Sequence, residues 1–330
     1  MWLKHRPHLA GLLMCAALIA SLIPGTGCQC DSTAPDNETS SSVTFPLTLA
    51  DDLGRTVVLE EIPQRIVSLA PSNTEILYAL GLGDKLVGDT QYCDYPADAL
   101  NKEKVGGYSD IDVEKVISLQ PDLILAEDIH KQEIIPALER LGFTCFALVP
   151  HNLDEIMNSI LTIGKLTGTT DKAQEIVGDM QQRIQYINDR TSGLSANEKP
   201  DVLYVIWHEP VMSVGSDTPI NEMITQAGGI SIVDPRLTGF PTLSLEEIID
   251  ADPDIIVVNV ESYEGGDVAL KAMLAEPRFK SVAAVVNGRV YGINASLTNR
   301  PVPRIIDGFE WLAAIIHPEL FPEFVSRYIQ

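Results

Sequence analysis

Residues 107–126, GYSDIDVEKVISLQPDLILA, return as residues 239–258, GFPTLSLEEIIDADPDIIVV, in register and without insertion. Tyr108 falls on Phe240, Glu114 on Glu246, Pro121-Asp122 on Pro253-Asp254 and Ile124 on Ile256. Each copy opens with an aromatic residue in a glycine-containing loop. A helix cap follows, Asp112 or Ser244, whose side-chain oxygen can take an unpaired backbone N–H. In the second copy Glu247 stands three residues after Ser244, the spacing of a capping box. A short helix is then broken by Pro-Asp, and an unbroken apolar run reads as a buried strand. Two such units in register constrain the chain to two similar α/β lobes, with Glu114 and Glu246 as matched points on them.

With 330 residues the chain is long enough for two domains with real cores. Residues 1–27 stand apart. Lys4, His5, Arg6 and His8 form a basic start, and the apolar run 9–23 ends at Pro24-Gly25. That run is short of the ~20 residues that span a bilayer, so it reads as an export signal. Thr26-Gly27-Cys28 resembles a bacterial lipoprotein cleavage site, which implies an acylated Cys28, a lipid anchor to the membrane and an extracytoplasmic location. The alternative is a secreted or periplasmic protein cut nearby. Removing Lys4 and Arg6 from 23 basic residues leaves 21 against 46 acidic ones, a net charge of −25. Such a field disfavours nucleic acid and anionic lipid head groups. Cys30, Cys93 and Cys145 form no Cys-x-x-Cys spacing, and Cys145, in FTCFALV, reads as core.

The expected organisation is a signal peptide at 1–27, a flexible tether at 28–44, an N-terminal α/β lobe at 45–168, a connecting helix at 169–194 and a C-terminal α/β lobe at 195–330. The first lobe starts with a hairpin over 45–61. Strand 65–70 and a helix with a Ser72-x-x-Glu75 capping box come next, then strand 86–88, the loop TQYCDYP at 90–96, and a helix over 131–141. Ala173, Ile176, Val177, Met180, Ile184 and Ile187 mark one long amphipathic helix in mid-chain, read as a rigid strut between lobes with parallel sheets. The second lobe restarts with strand 202–207, loop 208–218 and helix 219–227, and closes with helix 304–316 and a surface-packed aromatic tail.

No phosphate-binding loop and no nucleophile elbow is present. His130, His151, His208 and His317 are scattered without metal spacing, and surface or capping roles are expected for them. His208, beside Trp207, is kept as a candidate ligand contact. No metal or cofactor is expected. In parallel α/β lobes ligands bind beyond the carboxyl ends of the strands, and there Tyr92, Tyr95, Tyr108, Trp207, Phe240 and Tyr263 concentrate. Singly, each is more often a loop anchor. Tyr108 and Phe240, at equivalent points on two lobes, would face each other across a cleft and grip a flat or bulky ligand.

RIVSLAPSNTEILYALG, YCDYP, VEKVISLQPDLILA, INEMITQAGGISIV, SLEEIIDADPDIIVV and Pro303–Ile305 together resemble the substrate-binding proteins of bacterial ABC importers for cobalamin, haem and ferric siderophores, over about residues 63–316. The resemblance implies two α/β lobes joined by one long helix, a monomer that binds ligand between the lobes, opens little and delivers its ligand to a permease dimer with its ATPases. It is nearest to cobalamin binders. There, residues matching Tyr92, Tyr108 and Phe240 line the corrin site with an arginine matching Arg300. Two tryptophans of that pattern are Tyr108 and Phe240 here, and an aspartate on the arginine side is Ser296. It also implies that Glu114 and Glu246 dock onto arginines of the permease. The rivals are haem, with Tyr108 as an axial phenolate, and an anionic siderophore held by Arg300, Arg236 and Arg304. Outside transport, they are a hydrolase using Glu114 and Glu246 as an acid/base pair, or a signalling or adhesion module.

Overall fold

A computed structural model describes residues 43–260 and 267–329. The signal, Cys28, Cys30, most of the tether and Tyr263 lie outside the described residues. The antiparallel hairpin of β1 (Leu47–Ala50) and β2 (Thr56–Leu59) leads into the first lobe. That lobe runs β3 (Ile66–Ser68), α1 (Pro71–Ala79), β4 (Leu86–Gly88), α2 (Val113–Ser118), β5 (Leu123–Ala126), α3 (Ile134–Arg140) and β6 (Cys145–Ala147). Its sheet is parallel throughout, in the order β4-β3-β5-β6. Strands in such a sheet are covered on both faces, which is why β3, β5 and β6 are wholly buried apolar runs, broken only by Ser68, rather than alternating ones.

Two helices, α4 (Leu153–Thr167) and α5 (Thr170–Thr191), carry the chain to the second lobe. At 22 residues, α5 is about 33 Å long. Gly168, at φ 73°, closes α4 in the left-handed region. A Cβ at Gly164 would lie 2.5 Å from that of Ala173, so glycine is what lets α4 and α5 approach. The buried stripe Ala173, Val177, Met180 and Ile187 joins one core that extends from Ile66 and Leu77 to Tyr204 and Phe309. The strut is therefore also a shared wall of both lobes.

The second lobe comprises β7 (Asp201–Val205), a small hairpin of β8 (Trp207–His208) and β9 (Val211–Met212), α6 (Pro219–Gln226), β10 (Ile230–Ser231), α7 (Leu245–Ala251) and β11 (Ile255–Val260). After it come α8 (Val268–Ala275), α9 (Ala283–Val286), β12 (Val290–Asn294), α10 (Ala295–Thr298), α11 (Ile305–Ile316) and α12 (Pro322–Tyr328). Its parallel sheet has the order β10-β7-β11-β12.

The sequence repeat has a structural cause. Asp112 caps α2 by accepting the Lys115 N–H, and Ser244 caps α7 by accepting that of Glu247. Both helices are followed within two residues by a residue with positive φ, Gln120 at 48° and Asp252 at 44°. The Pro-Asp that follows then ties the returning chain to the neighbouring strand. The Asp122 carboxylate accepts the N–H groups of Gln64 and Arg65 at the start of β3, and Asp254 accepts that of Asp201 at the start of β7. Each repeat is thus a cap, a stop and a register pin for a central strand.

Several expectations need correction. Ser72 and Glu75 form no capping box, because α1 begins at Pro71 behind Ala70 and both side chains are used elsewhere. The helix expected from Lys131 begins only at Ile134, after a short 3-10 turn at Asp128–His130. The loop expected at 208–218 contains the β8–β9 hairpin. The C-terminal tail is core rather than surface packing, since Phe321 and Phe324 are buried. Removing the pin with Asp122→Ala should cost about 1 kcal/mol of stability, read as a shift in the urea midpoint at unchanged slope.

Candidate functional site

Three strands of the first lobe end at one place. Pro71 and Ser72 follow β3, Tyr92 lies in the loop after β4, and Glu127 follows β5. With Tyr108 and Asp110 they line a cavity of about 530 Å³, closed on the other side by Asn299, Arg300 and Pro301 of the second lobe. This is the position expected for a ligand in an open parallel sheet. A larger hollow of about 720 Å³ lies between α5 and the start of α11, but no aromatic ring lines it.

The seam between the lobes is ionic. Glu75, on α1, has a side chain only 3% exposed and accepts from Arg300 at 2.7 Å and from Arg304 at 2.6 and 2.8 Å. Arg300 also donates to Asp94 at 2.5 Å, and the Arg304 guanidinium lies 4.0 Å from the centre of the Tyr95 ring. Burial alone would lower the pKa of Arg300, but its bonds to Asp94 and Glu75 reverse that and raise it. Burial likewise works to raise the Asp94 carboxyl, and Arg300 overrides it, so the carboxyl sits below its usual range. The loop carrying Tyr92, Asp94 and Tyr95 is stapled at its base by Lys104, which reaches the buried Asp89 at 2.8 Å and the carbonyls of Cys93 and Ala99. Burial lifts the Asp89 carboxyl to about 6 even against Lys104.

Of the residues singled out in the sequence, Tyr92, Tyr108 and Arg300 meet at the cavity. Trp207 and Phe240 do not line it. They stand on the second lobe, 51% and 56% exposed, and Tyr92 is similarly open at 55%. The Trp207 indole donates to the Glu209 carbonyl, and the His208 ring lies 5.1 Å from it with Nδ1 unpartnered among the described residues. Glu114 and Glu246 occupy the exposed first turns of α2 and α7.

The sequence profile of periplasmic binding proteins matches residues 66–297. The chain belongs to the periplasmic binding protein family. An ABC transporter substrate-binding lipoprotein of Bacillus subtilis is 34% identical over 319 residues, covering 95% of this chain and 99% of the relative. Among solved structures, the periplasmic vitamin B12-binding protein BtuF of Vibrio cholerae is 30% identical with a TM-score of 0.66, covering 78% of this chain and 97% of that one. A periplasmic haem-binding protein from Pseudomonas aeruginosa is 25% identical with a TM-score of 0.69, covering 78% and 94%. The periplasmic binding protein family comprises solute-binding proteins rather than enzymes, and this chain is a substrate-binding protein of that kind.

Sequence reasoning missed the carboxylates. Arg300 takes its acidic partners not from the position of Ser296 but from Glu75 and Asp94 across the seam. The signal was present in Arg300 and Arg304 themselves, because half-buried guanidinium groups demand acidic partners. His130 is buried rather than on the surface, and it does cap. Glu75→Ala, which strands Arg304 and leaves Arg300 with Asp94 alone, should cost about 3 kcal/mol in denaturant unfolding.

Proposed function

We propose that this binding protein carries a corrinoid, cobalamin or a close relative, between its lobes to an ABC permease. The observation that carries the reading is the charge of the cavity. Arg300, its one lining cation among the described residues, is already held by Glu75 and Asp94, while Glu127 and Asp110 add negative charge. A corrin ring edged with amides offers N–H donors to such a wall and rests its face on aromatic rings. Haem, with two propionates, and an anionic siderophore would each need free cations. Arg304 is held by Glu75, and Arg236 is paired with its neighbour Asp234. The B12-binding relative of Vibrio cholerae supports the same ligand class.

Delivery needs contact with the membrane. Cys28 as a lipidated first residue would hold the protein at the outer face of the cell membrane, consistent with the lipoprotein named in Bacillus subtilis. Glu114 and Glu246, one per lobe, are the docking points in this reading, since exposed carboxylates meeting permease arginines form charge-assisted pairs. A helix start favours a carboxylate in any case, so the test must separate the two roles.

Tyr108→Ala should weaken cobalamin binding by about tenfold or more in calorimetry, with folding preserved. Glu114→Ala combined with Glu246→Ala should leave ligand affinity and Tm close to wild type while greatly reducing permease binding and transport. Salt should weaken the wild-type complex more than the mutant one. Normal permease binding with lost ligand affinity would move both glutamates into the pocket.

A further inference from the structure

Glu127 is not part of any motif that pointed to the site, yet it organises the cavity wall. One carboxylate oxygen accepts the Ser72 hydroxyl and the other accepts the Tyr108 hydroxyl. The Glu127 backbone N–H donates to His130 Nδ1 at 3.0 Å. A ring nitrogen that accepts carries no proton, so neutral His130 bears its hydrogen on Nε2 and donates it to the Tyr108 carbonyl at 2.8 Å. Burial, the larger influence, lowers the pKa of this fully buried imidazole against the pull of its hydrogen bonds. The same ring packs edge-on against the phenol, 5.9 Å between centres. Tyr108 is therefore fastened to Glu127 directly through its hydroxyl and again, through His130, by its backbone.

This clamp separates two things a tyrosine can offer a macrocycle. The ring face remains available along the cavity, but the oxygen is committed as a donor. Tyrosine binds haem iron as the phenolate, which here would be a second anion against the Glu127 carboxylate in a half-buried wall. Burial first, and then the charge and hydrogen bond of Glu127, push the Tyr108 pKa well above the ordinary phenol value.

We propose that Glu127 is a selectivity residue: by holding the Tyr108 hydroxyl as a donor and fixing a negative charge on the cleft wall, it admits an amide-edged macrocycle on the ring face and turns away ferric haem. This deepens the corrinoid reading and rests on it for the favoured ligand. The step involves no covalent chemistry, only the choice of which ligand the wall tolerates.

The test titrates haemin, and in parallel cyanocobalamin and cobinamide, into the wild-type chain, Glu127→Gln, Tyr108→Phe and the double variant, with Tm recorded for each. Glu127→Gln keeps the shape and removes the charge. It should bind haemin at least ~10-fold more tightly than wild type and acquire a ferric–phenolate charge-transfer band, and both gains should vanish in the double variant. No gain in haemin affinity, or a gain that survives Tyr108→Phe, overturns the proposal. Wild-type protein that binds haemin with the phenolate band overturns it too, and that arm needs no variant to fold. A wild-type chain that binds neither corrinoid defeats the ligand assignment alone, because the haemin titrations still decide the role of Glu127.

Discussion

The Glu75 carboxylate, almost wholly buried and gripped by Arg300 and Arg304, is the contact on which the cleft depends. It joins the first helix of one lobe to the segment that opens α11 in the other. A buried carboxylate is tolerable only while its cations stay within bonding distance. The seam therefore fixes how the lobes meet at this edge, and with it the width of the cavity between Tyr92, Tyr108 and Arg300. The continuous core through α4 and α5 enforces the same geometry from behind. Both features oppose wide opening, and both favour a cleft formed before ligand arrives.

The two repeats serve this frame on two levels. Their caps, left-handed stops and Pro-Asp pins hold the central strand of each sheet in register. The aromatic residues that open the repeats are nonetheless placed differently, Tyr108 in the cavity wall and Phe240 exposed on the second lobe.

Within the cleft, the polar groups are largely committed to one another. The arginine that a sequence reader assigns to ligand recognition is neutralised by its own protein, and the tyrosine that could ligate iron has its oxygen occupied. What is left for a ligand is ring surface, hydrogen-bond acceptors and the free N–H positions of Arg300. A guanidinium already bonded to two carboxylates contributes mainly as a donor at its remaining N–H positions.

The repeat, the amphipathic period of α5 and the unbroken apolar strands determined the two parallel-sheet lobes and the joining helix from sequence alone, because cap, breaker and burial period are local signals that each segment carries within itself. Tyr92 was legible because it lies beyond a strand end, where ligands bind in such sheets, Tyr108 because it opens a repeat, and Arg300 only through the family resemblance. Glu75 and Glu127 were not. In sequence Glu75 sits three residues after a serine and reads as a cap, and Glu127 is one more acid after a strand. Their partners, Arg300 and Arg304 for one and Ser72 and Tyr108 for the other, lie at separations along the chain that no periodicity records. Only the packing of the two lobes decided which carboxylate would be buried against which cation, since the energy of a charge depends on what tertiary structure brings within a few ångströms of it.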